Sequence, residues 1–226
     1  MGKLLLTGVD GNLGGEAARV LLTLTDKSNI ILTGYNPEVL KTYSDQGIET
    51  RVADFNNIEG LKEAFSGAER LALISMPFVG AKRQAAHKNA IDAAKAVGVK
   101  QIIYTSLVNA ADETNPSVEK KDHIYTEEYV KSLGLDYIFL RNSQYAEAMI
   151  TNYFTYVKSD GVFKDGSEAP FSSDGMVTFA QAIREGKMDN FTKDFEELTG
   201  DKALTVQYMF EHNADFQIGD RHSKDK

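Results

Sequence analysis

Leu4-Leu5-Leu6-Thr7-Gly8-Val9-Asp10-Gly11-Asn12-Leu13-Gly14-Gly15 is the stretch that decides the fold of this chain. Leu4 to Leu6 is a short apolar run with the composition of a buried strand. It passes into the spacing G-x-x-G-x-x-G at Gly8, Gly11 and Gly14, and an alanine- and leucine-rich helical pattern follows from Glu16 to Leu24. Glycine triplets by themselves are often only turns; here both flanks have the right type. Strand, glycine turn and helix in this order form a cradle for a dinucleotide pyrophosphate. The glycines permit a tight turn and close backbone approach, and the helix N-terminus faces the negative charge.

The pattern continues outward as alternating strand and helix segments. Strands are expected at Lys3–Thr7, Asn29–Thr33, Thr50–Ala53, Leu71–Ser75, Gln101–Thr105 and Tyr137–Leu140. Helices are expected at Leu13–Leu24, Pro37–Asp45, Ile58–Ser66, Lys82–Val97, Val118–Leu133 and Ser143–Lys158. The strands read as apolar on both faces, as parallel strands covered by helices do. Asn36-Pro37 offers an N-cap followed by proline at the first helical position, Asn56 with Glu59 resembles a capping pair, and Gly98 and Gly134 stand where helices must stop. Repeated β-α units imply an α/β fold with a Rossmann-like, doubly wound parallel sheet over residues 1–158. Residues 159–226 read as a small C-terminal substrate region. Ser159–Gly175 is loop-like, weak helical patterns follow, and a polar tail runs from His212 to Lys226.

Composition narrows the function classes. A length of 226 residues with 42% hydrophobic and 26% charged residues suits a globular domain with a sizeable core. The net charge of −8 argues against non-specific nucleic-acid binding, though not against a nucleotide held by backbone amides. The chain has no cysteine, which excludes disulfides, thiolate chemistry and cysteine zinc sites. His212 and His222 lack a partner at ligand spacing, so no metal is expected. No apolar run is long enough to span a bilayer and no signal-like start is present, so a cytoplasmic location is expected.

In a doubly wound sheet the ligand lies outside the C-terminal strand ends. The candidate residues are therefore those that end each strand. Val9, Asp10, Asn12 and Leu13 share the first loop with the glycines, and Asp10 either points outward or caps the following helix. After the second strand, Tyr35 can stack on adenine. Asn36 can bond the ribose or phosphate, or serve only as a helix cap, and Lys41 and Arg51 are nearby positive charges. Asp54 can accept from the adenine amino group with the Phe55 ring beside it. Ser75, Met76 and Pro77 can wall the ribose and nicotinamide, and Thr105 and Ser106 bring two hydroxyls to the centre of the cleft.

Residues 1 to about 163 resemble the NmrA-like, atypical branch of the short-chain dehydrogenase/reductases, and within it the type 2 NAD(P)H:quinone oxidoreductases. The matching segments are Thr7-Gly8…Gly11-Asn12-Leu13-Gly14, Ala53-Asp54-Phe55, Ala93-Ala94-Lys95-Ala96-Val97-Gly98-Val99, Tyr104-Thr105-Ser106-Leu107, His123-Ile124…Thr126-Glu127 and Leu140-Arg141-Asn142…Tyr145. The resemblance implies a cofactor, NADPH favoured and NADH possible, bound through Gly8 to Leu13, Tyr35, Ser75 to Pro77 and Asn142 to Tyr145. Three departures stand out. Tyr35 replaces the usual Arg that reads the 2′-phosphate, Asp10 replaces the usual Thr or Ser, and the C-terminal part is shorter than usual.

The wider superfamily moves an alcohol proton with Tyr-x-x-x-Lys and a Ser. Here the Tyr position is His123 and the Lys position Glu127. Without the lysine that lowers a tyrosine pKa, ordinary alcohol oxidation is disfavoured. A reaction that mainly needs hydride placement fits better, with a quinone or similar small aromatic acceptor. The expected catalytic residues are Asn142, Tyr145, Ser106 and His123, the last as a proton donor, with Tyr125 also able to face the cleft. Two other readings remain: a non-catalytic NAD(P)-binding redox sensor of the NmrA type, and a reductase or epimerase-like activity on another small molecule. Either a monomer or a homodimer is compatible with the sequence.

Overall fold

The computed structural model describes residues 2–158 and 173–216. The first part alternates β1 (Lys3–Leu6), α1 (Asn12–Leu24), β2 (Ile30–Gly34), α2 (Pro37–Ser44), β3 (Glu49–Val52), α3 (Ile58–Phe65), β4 (Ala68–Leu73), α4 (Ala81–Ala96), β5 (Gln101–Leu107), α5 (Lys120–Ser132), β6 (Asp136–Asn142) and α6 (Ala146–Lys158). The second part holds α7 (Ser173–Arg184), α8 (Asp194–Thr199), α9 (Val206–Glu211) and α10 (Asn213–Phe216). The six strands form one sheet in the order β3-β2-β1-β4-β5-β6, with every pair parallel. Strand order reverses between β1 and β4, which puts the ligand crevice at the C-terminal ends of those two strands.

Alternate strand residues serve opposite faces. Leu5, Ile31, Leu71 and Ile102 pack with Leu61, Phe65, Ala90, Ile91 and Ala94 of α3 and α4 on one side. Leu6, Ile30 and Leu32 pack with Ala18 of α1 and Leu40 of α2 on the other. Each such leucine or isoleucine contributes roughly 1.5–3 kcal/mol by leaving water. A third cluster joins Leu107, Val108 and Ala110, at and beyond the end of β5, to Ala182 and Met188 in and after α7. Asn109 Nδ2 donates to the Lys187 carbonyl at 2.6 Å, so this later segment is seated beside the strand ends.

Gly98 and Gly134 have φ of +86° and +68° and end α4 and α5, as expected. Asn36 caps α2 by accepting from Glu38 N at 2.9 Å, whereas α3 is capped by Asn57, accepting from Gly60 N at 3.0 Å, and not by Asn56. The expectation of strands buried on both faces fails at β6. There Tyr137, Ile138 and Leu140 are 47%, 45% and 42% exposed, and among the described residues β6 is an edge strand. The loop expected at Ser159–Gly175 falls outside the described residues as far as 172, and α7 begins at Ser173. The start of the expected polar tail is helical, since α10 covers Asn213–Phe216; residues 217–226, with His222, lie outside the described residues. Among the described residues no helix is long and apolar enough to cross a membrane.

Candidate active site

The glycine loop owes its shape to contacts that a side chain would prevent. Gly8 has φ +67°, and Gly11 N donates to Gly8 O at 2.9 Å to close the turn. A Cβ on Gly14 would stand 3.0 Å from Val9 N and closer still to the Gly8 carbonyl, so α1 lies against the loop backbone. The α1 N-cap is Gly11, with no side-chain cap bond and no acidic residue in the first turn. The first N–H groups of α1, from Asn12 and Leu13 onward, therefore meet no side-chain cap and no acid within the helix's own first turn, which fits a diphosphate. Thr7 ties the crevice floor together: its Oγ1 accepts from Ile74 N at 2.9 Å and donates to Ala72 O at 3.3 Å.

Asp10 resolves the open choice made from sequence. It does not cap α1. Its Oδ2 accepts from Tyr35 N at 2.8 Å and Asn36 N at 2.9 Å, reaching across to the end of β2. The Tyr35 ring is 70% exposed at the same end. Lys41 pairs with Asp45 one helical turn on. Arg51 pairs with Glu49 and donates to the carbonyls of Glu63, Ala64 and Ser66 at the end of α3. Asp54 Oδ1 accepts from Asn56 N and Asn56 Nδ2, both at 2.9 Å, and so shapes the β3–α3 turn. Phe55 is a correction: at 6% exposure its ring belongs to the core and not to the crevice wall.

On the other side of the switch point, the β4–α4 loop is held from beneath. Ser75 N donates to Thr105 Oγ1 at 2.8 Å. Met76 N donates to His87 Nε2 and Met76 O accepts from Arg83 Nε, both at 3.0 Å. Gly80 N donates to Asp122 Oδ2 at 2.6 Å. Arg83 and His87 lie one turn apart on the buried face of α4, among Ala86, Ala90 and Ala94. Sequence reasoning alone misses both. The available signal was two polar side chains interrupting an otherwise alanine stripe.

His123 is buried in the same network. Its Nδ1 lies 2.7 Å from Tyr104 Oη and its Nε2 3.3 Å from Arg83 Nη1. Arginine can only donate, so Nε2 accepts and Nδ1 carries the proton. Burial, aided by the Arg83 charge, drives the His123 pKa down to about 3. The imidazolium donor expected from sequence is thereby corrected: His123 is neutral at physiological pH and both its nitrogens are engaged. His87 is also pushed well below the usual histidine range, by burial first and then by Arg83 and His123.

Glu127 is 1% exposed and accepts from Ser106 Oγ at 2.7 Å and from Arg141 Nε and Nη2 at 3.0 and 2.7 Å. Glu127, expected from sequence at the superfamily's lysine position, is thus a carboxylate held in a two-pronged ion pair. Ser106, at 3% exposure, has its hydroxyl in this pair's service. Asn142 Nδ2 donates to Tyr145 Oη at 2.9 Å, which joins these two expected site residues at the end of β6. Tyr145 is 44% exposed. Tyr125 instead stacks on Tyr129, whose hydroxyl bonds Asp92 of α4, so it faces the α4–α5 junction.

Residues 8–170 match the family of NAD(P)H-binding proteins. The chain is 34% identical over 212 residues to quinone oxidoreductase 2 of Escherichia coli strain K12, covering 90% of this chain and 71% of that protein. The chain belongs to the NAD(P)H-binding, NmrA-like family. A second relative, an NmrA-like family domain-containing oxidoreductase flvB of Aspergillus flavus, is 27% identical over 83% of this chain and 64% of its own length. Among solved structures, the Escherichia coli NADPH-dependent quinone oxidoreductase QOR2 complexed with NADPH matches with a TM-score of 0.62 at 37% identity, covering 69% of this chain and 53% of that one. The Citrobacter sp. triphenylmethane reductase complexed with NADP(H) matches in fold, with a TM-score of 0.79 at 23% identity over 93% of this chain and 99% of that one. Family membership groups the chain with NAD(P)H-dependent oxidoreductases and agrees with the glycine cradle at the head of the matched region.

Proposed function

We propose that this protein reduces a quinone or a similar small aromatic acceptor at the expense of NAD(P)H. One observation carries the reading. The two positions that would run an alcohol proton relay hold His123 and Glu127, and both are buried in bonds to other protein groups. Such a site lacks the usual means of moving an alcohol proton. It suits an acceptor that takes hydride at a ring and protons from water.

Bound NAD(P)H supplies the hydride. The first turn of α1 and the Gly8–Gly14 loop hold the diphosphate. Ser75 to Pro77 wall the crevice on the nicotinamide side, with the backbone fixed by Thr105, His87 and Arg83. Asn142 and Tyr145 orient the acceptor through their paired amide and hydroxyl. Their role is placement, which in a well-oriented site supplies several orders of magnitude in rate. The reading gains support from the 34% identical Escherichia coli quinone oxidoreductase 2.

The test follows nicotinamide absorbance with NADH and with NADPH, each with and without a small benzoquinone. Consumption dependent on the quinone, and strongly reduced in Asn142→Ala, is expected. Binding of NAD(P)H without any consumption would refute the enzyme and leave the sensor. Undiminished turnover in Asn142→Ala would remove that residue from the site.

A further inference from the structure

We propose that Asp10 is a specificity residue for the cofactor, whose carboxylate disfavours a 2′-phosphate on the adenosine ribose and so lets NADH compete with NADPH. The inference rests on the NAD(P)H reading above and deepens it. In a sheet wound this way the end of the second strand meets the adenosine ribose. NAD sites usually place an acid there, and NADP sites an arginine. At the end of β2 this chain has Gly34, Tyr35 and Asn36, none of them charged. The acid arrives from the glycine loop instead.

The seat for that acid is built. Asp10 Oδ2 accepts from Tyr35 N at 2.8 Å and from Asn36 N at 2.9 Å. A Cβ on Gly34 would stand 2.8 Å from Asp10 Oδ1 and 2.9 Å from its Cγ, so a glycine ends β2 where the carboxylate docks. These two amides are the donors that the end of β2 would otherwise offer to a phosphate oxygen. A dianionic 2′-phosphate therefore meets donors already engaged and a negative charge beside them. A neutral 2′-hydroxyl meets an acceptor.

Among the described residues, the cations nearest the end of β2 and the following helix have other partners. Arg51 serves Glu49 and the last carbonyls of α3, and Lys41 serves Asp45. Beside Asp10 and Asn36 a groove of about 800 Å³ opens between α1 and α2. Its wall includes Arg19, which is paired with Glu16 at 2.8 Å on the same helix. Within this groove the acids Asp10 and Glu16 outnumber Arg19. At this partly solvated surface, the loss of one charge next to a doubly charged phosphate corresponds to about tenfold or more in affinity.

The experiment measures dissociation constants of NADH and NADPH by their fluorescence for the wild-type protein, Asp10→Asn and Asp10→Ser, at low and high salt. Asn keeps the shape and an acceptor oxygen but not the charge; Ser removes the charge and the reach of the side chain. Expected is a tightening of NADPH by about tenfold or more in both variants, with NADH changed less than about threefold, and a smaller gap at high salt. An unchanged NADPH-to-NADH ratio in Asp10→Asn overturns the proposal. If the wild-type protein binds neither nucleotide, the cofactor reading itself falls, an outcome distinct from two nucleotides bound at a ratio indifferent to Asp10.

Discussion

His87 and His123 make stability fall on mild acidification. Both histidines are held neutral, His123 with a pKa of about 3 and His87 well below the ordinary 6.5. Above pH 6.5 neither folded nor unfolded chain protonates them, so they contribute nothing to pH dependence. Below it, only the unfolded chain takes up the protons, and stability falls until pH reaches the folded values. From about pH 7.5 to about pH 5 each histidine costs about 2 kcal/mol, or about 4 kcal/mol for the pair. Carboxylates held below their usual range, such as Glu49 and Asp92, act at lower pH. Glu119, raised by burial, acts with the opposite sign and offsets part of the loss. Urea unfolding followed by far-UV circular dichroism at the two pH values reads the difference. His123→Gln should halve the pH dependence, whatever it does to stability at the higher pH. A wild-type stability that is flat between the two pH values would refute the assignment of both rings as buried and neutral.

Three further outcomes follow from the geometry. Gly14→Ala pushes a Cβ into the Gly8 carbonyl, so NAD(P)H binding measured by fluorescence should be lost and the midpoint of urea unfolding lowered by about 1–3 kcal/mol equivalent. Arg141→Ala leaves the buried Glu127 carboxylate with Ser106 as its remaining side-chain donor. About 2 kcal/mol of stability should go, less than for a fully buried pair because Arg141 is itself half exposed, and adding Glu127→Gln in a double-mutant cycle should recover part of it. Thr105→Val removes the acceptor of Ser75 N, and NAD(P)H affinity should weaken by about three- to tenfold while the fold, read by circular dichroism, persists.

The legible part of this molecule was whatever depends on local periodicity. All six strands and the first six helices fall within a few residues of where the apolar pattern placed them, because each β-α unit carries its own strand run, cap and stop. The edge strand β6 looks like a buried strand in sequence, since its run Tyr137-Ile138-Phe139-Leu140 is as apolar as an inner one. Sequence shows hydrophobicity and not the number of neighbours. The partners of Asp10 were illegible for a related reason. Tyr35 and Asn36 lie 25 and 26 residues away, and the bond forms only because β1 and β2 pair in a fixed register. Likewise, nothing local in Arg83 or His87 says that both will grip Met76.

Those grips bear on how the proposed hydride transfer dispenses with a side-chain proton relay. Arg83 joins three things: the Met76 carbonyl, the ring of His123 and, at 3.8 Å, the Asp122 carboxylate. Asp122 in turn holds Gly80 N and Gln84 Nε2. The loop from β4 to α4 is thus bolted to α5 through charged groups that are almost wholly buried. A buried ion pair contributes little net stability over an apolar pair of the same shape, so stability alone does not account for the arrangement. It does give the loop one position, since a shifted Met76 would leave Arg83 and His87 unsatisfied in a dry interior. Hydride transfer is sensitive to sub-ångström placement of its partners and makes no demand on a side-chain acid. In this chain His123 and Glu127 are buried parts of that frame, and under the proposed reaction the frame's part is to hold the β4–α4 loop in one place.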